Sequence, residues 1–188
     1  STELSQWYDH LQTGGSRSAM TSALSKTPEF AGSMVDEMYS TALGRTPDTA
    51  GSAYWLDVLV GQKTPFAELG IYFYGSAEYY NRSGGNDESF IRALYRDLLH
   101  REPEATGLAY WKGELAKSSV GPPDIASGFY VSLESRRDRA DALYQRVLGR
   151  PADAVGRDSA AERILVADDL VVAAELGTSE EFYVAAQR

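Results

Sequence analysis

Met38-Tyr39-Ser40-Thr41-Ala42-Leu43-Gly44-Arg45 decides the reading, because the chain repeats it twice, as Leu94-Tyr95-Arg96-Asp97-Leu98-Leu99-His100-Arg101 and as Leu143-Tyr144-Gln145-Arg146-Val147-Leu148-Gly149-Arg150. The three arginines stand 56 and then 49 residues apart, the spacing of a supersecondary unit copied along the chain. Each is followed at the third position by an acid (Asp48, Glu104, Asp153) and at the sixth by a glycine (Gly51, Gly107, Gly156).

Working outward, the first two copies continue into Tyr54-Trp55 and Tyr110-Trp111, then Leu59 and Leu115, then Ser76-Ala77-Glu78-Tyr79 and Ser132-Leu133-Glu134-Ser135. The third copy carries Ser159-Ala160 in place of Tyr-Trp and regains the rear motif as Ser179-Glu180-Glu181-Phe182. Trp7, Leu11 and Thr27-Pro28-Glu29-Phe30 repeat the second half alone. The chain therefore divides into a rear half unit at 1–33, full units at 34–86 and 87–138, and a degenerate capping unit at 139–188. The cap is expected to turn a more polar outer face to water.

Within a unit the apolar spacing is helical. Val35, Met38, Tyr39 and Ala42 recur at i, i+3, i+4 and i+7, Gly44 stops that helix, and Pro47 prevents its resumption. A second helix starts at Asp48 or Thr49 and ends at Gly61. A third is expected to be capped by Thr64, with Pro65 in its first turn, and a last turn opens at Ser76. Loops are expected at Gly14-Gly15-Ser16, Ser83-Gly84-Gly85-Asn86 and Ser118 to Pro123. No alternation of period two is sustained. The expected fold is all-α: tandem repeats of three to four short helices packed into a compact or solenoid-like array.

Composition removes several function classes. The 18 Lys and Arg against 27 Asp and Glu give a net charge of −9, which disfavours nucleic-acid phosphates and anionic membrane surfaces. There is no cysteine, hence no disulfide, thiolate-bound zinc or thiol catalysis. No apolar run is long enough to enter a membrane. The start, Ser1-Thr2-Glu3-Leu4, has neither initiator Met nor signal-peptide character, which suggests a processed or excised piece of a larger protein.

Leu43-Gly44-Arg45-Thr46-Pro47-Asp48, Gly51, Tyr54-Trp55 and Gly75-Ser76-Ala77-Glu78-Tyr79 resemble the DUF4214 family, a domain of unknown function. The resemblance covers most of residues 34 to 137 and weakens in both outer units. It implies a mostly helical fold in tandem copies, an extracellular or cell-surface setting in bacteria, distant similarity to phycobilisome linker domains, and a role in attachment or assembly. It brings no catalytic residues with it.

The residues themselves show no catalytic constellation. His10 and His100 are the only histidines and occupy non-equivalent places in the repeat, so a metal or general-base role is not expected. The acid pairs Asp36-Glu37, Asp168-Asp169 and Glu180-Glu181 read as solvated surface, since neighbours on a helix point about 100° apart. Arg45, Arg101 and Arg150, with Asp48, Glu104 and Asp153, read as ties between helix ends, and Trp55 and Trp111 as shared core. The twelve tyrosines exceed what a core of this size needs, and Tyr72, Tyr74, Tyr80 and Tyr130 are the candidate ligand-binding residues. No metal or cofactor is expected. The function expected is a non-catalytic interaction or assembly module of a larger bacterial secreted or surface protein, its partner a protein or, alternatively, a glycan.

Overall fold

The computed structural model describes residues 2–61 and 64–185, and these form thirteen α-helices with no strand among the described residues. The half unit supplies α1 (Thr2–Gln12) and α2 (Arg17–Leu24). Next come α3 (Pro28–Met38), α4 (Thr49–Leu56), α5 (Phe66–Tyr74) and α6 (Ala77–Arg82). The second full unit holds α7 (Asp87–Leu99), α8 (Ala105–Leu115) and α9 (Pro122–Tyr130). After α10 (Leu133–Leu148) the chain ends through α11 (Ala154–Ala167), α12 (Asp169–Gly177) and α13 (Glu180–Ala185). Residues 1 and 186–188 of the outer units lie outside the described residues.

The apolar stripe does what its spacing demands. Val35, Met38, Tyr39 and Ala42 are all buried, and α3 runs on through a π-helical turn, Tyr39–Leu43, to Gly44. Gly44, His100 and Gly149 end α3, α7 and α10 with φ of +65°, +52° and +71°, the left-handed stop that satisfies the last carbonyls. His100 is the only non-glycine of the three, in a region that costs an L-residue energy. The rear motif is a repeated N-cap: Thr27, Ser76, Ser132 and Ser179 each accept from the backbone N–H three residues on, at 3.3, 3.1, 3.2 and 3.2 Å.

In two places the rear helix of one unit is continuous with the first helix of the next. Positions 33/34 and 138/139 fall inside α3 and α10, whereas α6 and α7 are separated by Gly84 and Gly85, both with positive φ. Two local expectations are corrected. Pro122 and Pro123 lie in the first turn of α9, where a missing N–H costs nothing, so that loop stops at Gly121. Thr64 does not cap α5; Pro65 holds the cap position without a side-chain bond, and Asp168, 102 residues away, accepts from Phe66 N at 2.9 Å.

The units do not extend as an open row. α5 lies antiparallel on α9, so close that a Cβ at Gly70 would strike the Tyr130 ring and one at Gly75 would reach Pro123 Cα at 2.6 Å. α12 packs on α2 in the same way, with Thr21 against Gly177. Arg17 donates to Glu180 at 3.3 Å, and Arg146 to Ser33 at 2.9 Å and to Glu37, joining the two ends of the chain. One apolar core from Met34 to Ala173 runs through both full units and the third, degenerate one.

The third unit departs from the expected polar cap. Ala160, at the position of Trp55 and Trp111, lines a surface groove with Tyr144, Val172 and Leu176, and Val155, Leu165 and Val166 are exposed.

Removing residues 1–26, which spares the Thr27 cap, uncovers the α12 face. The melting temperature is expected to fall by at least about 5 °C, what roughly 2 kcal/mol gives in a domain of this size. A fragment that melts with the parent would show that α2 does not complete the core.

Candidate binding site

The recurring arginine closes each unit on itself. Arg45 donates in bidentate fashion to Glu78 at 2.7 and 3.0 Å, Arg101 to Glu134 at 2.6 and 3.0 Å, and Arg150 to Glu181. Its partner is thus the rear-motif glutamate, 31 to 33 residues on, and not the acid at the third position. Asp48 and Asp153 instead cap α4 and α11, accepting from Gly51 N and Gly156 N at 2.7 and 2.8 Å, while Glu104 stands at the cap of α8 without a side-chain bond. Arg45 and Arg150 also donate to Thr46 O and Pro151 O.

Under each arginine lies a tyrosine ring, Tyr39, Tyr95 or Tyr144, with its centroid 4.9, 4.9 and 5.4 Å from the guanidinium carbon. The hydroxyl of that ring rests on the glycine at the sixth position: a Cβ at Gly51, Gly107 or Gly156 would come within 2.5, 2.5 and 2.6 Å of it. Tyr, Arg, Gly and Glu are therefore one four-part clasp, present three times. The arginine hydrogen bonds hold the Glu78, Glu134 and Glu181 carboxyls below their ordinary range.

The four candidate tyrosines part company. Tyr72 is exposed; Tyr80 is half-buried and donates to Asp87 at 2.8 Å. Tyr74 and Tyr130, expected at the surface, are buried because α5 and α9 face each other along the sides that carry them, with ring centroids 6.1 Å apart. Burial pushes the Tyr74 phenol up to about 12 and raises that of Tyr130. Both line a cavity of about 210 Å³, open to solvent on one side, between α3, α7 and α10.

Exposure falls instead on the tyrosine of the Tyr-Trp pair. Tyr54 and Tyr110 are 60% and 59% exposed, each edge-on to its tryptophan with centroids 5.1 and 5.0 Å apart. Trp55 is buried and flanked on its other side by exposed Tyr72 at 4.9 Å. Trp111, expected in the core, is only half-buried: Gly128 stands where Tyr72 stands in the first unit, and the indole rests on it uncovered.

The Asp168-Asp169 pair is corrected from solvated surface to interior. Asp168 adopts φ +110°, a strained value for a residue with a side chain, and points its carboxylate at the α5 N-terminus. Asp169 is 1% exposed, chelated by Arg139 Nη1 at 2.8 and 3.0 Å, and burial raises its pKa to about 6 against the pull of Arg139. Asp36-Glu37 and Glu180-Glu181 are exposed. Among the described residues no group of three or more His, Asp or Glu is placed to hold a metal ion, and no helix is long and apolar enough to cross a membrane.

Repeated helices closed by a shared clasp define a tandem-repeat α-helical protein. Residues 71–139, from the end of α5 into α10, match the model of a family described as a domain of unknown function, DUF4214. The match takes in the whole Arg101–Glu134 clasp, only the glutamate, Glu78, of the first, and none of the third. No curated protein and no solved structure matches the chain.

A carboxyl whose folded pKa lies above its unfolded value binds extra protons when folded, so its contribution rises as pH falls from about 6 toward the ordinary 3.8. The stability of wild type minus that of Asp169→Asn, followed by urea unfolding, is expected to rise from pH 7 to pH 4.5. A value that falls over this range would mean that Arg139 outweighs burial.

Proposed function

We propose that this chain is a non-catalytic interaction module of a larger bacterial secreted or surface protein, and that its contact surface is the repeated Tyr-Trp step of the two central units. The carrying observation is that Tyr54 and Tyr110 are equally exposed at equivalent positions. A repeat conserves inward positions to fill its core, but an outward phenol on an indole adds little to the core it covers. Tyrosine and tryptophan offer an apolar face and a polar edge, the combination that anchors protein contacts with little loss of side-chain freedom.

Apart from Glu104, the polar residues that recur with the unit are occupied within it. Arg45, Arg101 and Arg150 are spent on glutamates, and Asp48 and Asp153 on helix N-termini, which leaves the aromatic steps as the recurrent groups turned to solvent. A glycan is the second reading, favoured by Tyr54, Trp55 and Tyr72 forming a row of rings on one unit. Sugar rings stack on such faces.

Photo-crosslinking residues at positions 54 and 110 of the full protein, in the bacterium that makes it, are expected to capture one common partner, and none at exposed Glu102. Adducts identical to those at 102, or none, would overturn the assignment. In parallel, glycan-array binding that disappears in the Tyr54→Ala/Tyr110→Ala variant at unchanged Tm would assign the surface to a glycan.

A further inference from the structure

The rear motif ends in an aromatic ring in three units, Phe30, Tyr79 and Phe182, and in Ser135 in the second full unit. In the first unit that ring is fully buried: Tyr79 sits edge-on to Tyr74 with centroids 5.1 Å apart, and its hydroxyl donates to Asp97 at 2.9 Å. The equivalent of Tyr74 is Tyr130, and the equivalent of Asp97 is Arg146. The 210 Å³ cavity is lined by Tyr130, Ser135 and Arg146, which is to say that it lies where the second unit lacks its ring. Serine in place of tyrosine deletes a phenol from a close-packed position, and the neighbours have not closed over it.

The void is not merely apolar. Tyr130 Oη, Ser135 Oγ and Arg139 Nε are all buried with no hydrogen-bond partner, and all three residues line this cavity. Tyr130 and Ser135 are each 1% exposed. Unpaired polar atoms on three residues of one lining are a costly arrangement, and of the three Arg139 Nε is the one that only an acceptor can satisfy. The end of the slot has also changed sign: the acid that receives the Tyr79 hydroxyl in the first unit is an arginine here. Floor residues Tyr130, Ser135 and Asp169 are buried, while Thr41, His100 and Ala142 at the rim are exposed, so the space opens to solvent at one end.

We propose that this cleft is a binding site for a small single-ring aromatic carboxylate, its ring taking the place of the missing phenol and its carboxylate accepting from the Ser135, Tyr130 and Arg139 donors. Three of the four acids on the wall do not oppose this, because each has a cation or donor of its own. Asp169 is chelated by Arg139, Glu37 receives Arg146 and Asp97 receives Tyr79 and Arg96, while Asp138 stands 3.8 Å from His100 with no hydrogen bond between them. Met34, Met38 and Leu143 supply the apolar sides that a ring requires. This site is separate from the outward Tyr-Trp steps and stands or falls without them.

Benzoate is the probe, with p-cresol, an uncharged single-ring phenol of similar size, as control. Calorimetric titration of the intact chain is expected to give a dissociation constant of roughly a millimolar or tighter for benzoate, in line with about nine non-hydrogen atoms in a largely enclosed pocket. Benzoate should raise Tm in a concentration-dependent way. Ser135→Phe restores the ring found in the other units and is expected to keep Tm while weakening benzoate at least about ten-fold. Should that variant not fold, Ser135→Leu fills the same space. No binding of benzoate, binding undiminished in the filled variant, or p-cresol binding as well as benzoate would each overturn the proposal, the first leaving a water-filled void.

Discussion

The arginine that stacks on a tyrosine and grips a glutamate some 33 residues further on is the constraint from which each unit follows. To place a guanidinium there, the first helix must stop abruptly, and Gly44, His100 and Gly149 do so in the left-handed region. To seat the tyrosine hydroxyl, the first turn of the second helix must carry a residue that has no side chain, hence Gly51, Gly107 and Gly156. To present the glutamate, the fourth helix must be capped two residues before it by Ser76, Ser132 or Ser179. A half-exposed ion pair adds little by itself. Its effect comes from linking the first and last helices of a unit across a ring that both of them bury.

The third unit shows how far the clasp can hold when the core behind it changes. Ala160 has replaced the tryptophan and opened a groove, yet Arg150, Tyr144, Gly156 and Glu181 keep their arrangement. That unit is secured from elsewhere. Its third helix turns the buried Asp169 toward Arg139, places Asp168 on the α5 N-terminus, and packs α12 on α2. Strain at Asp168 is tolerated because the cap it supplies is one that Pro65 cannot.

Much of the fold was legible because it rests on local rules that repeat. The stripe of Val35, Met38, Tyr39 and Ala42, the stop at Gly44 and the cap at Asp48 each follow from a few neighbouring residues. The structural role of the arginines was legible as well, from their survival in a copy that had lost its Tyr-Trp pair. Their partner was not, although Glu78, Glu134 and Glu181 recur just as faithfully, because a pairing over more than thirty residues is invisible to helix periodicity. Asp168-Asp169 was misread for the same reason: adjacency suggests solvation, and only tertiary contact with α5 and Arg139 makes the pair interior. Tyr74 and Tyr130 were misplaced because two units bury their third helices against each other, a choice made between units and not within one. The serine at 135 was visible as a departure from the motif, and its consequence, a cavity ringed by unpaired donors, needed the packing around it.

The central claim, that the clasp acts as a coupled device, is tested most directly by a double-mutant cycle on Arg101→Ala and Glu134→Ala measured by equilibrium unfolding. The account predicts a coupling of about 0.5–1 kcal/mol at low salt, the upper part of the range for exposed pairs, because the geometry is bidentate. It also predicts that Tyr95→Ala erases that coupling, since the guanidinium then loses the ring that positions it. Strictly additive single substitutions, or a coupling that survives without the tyrosine, would contradict it.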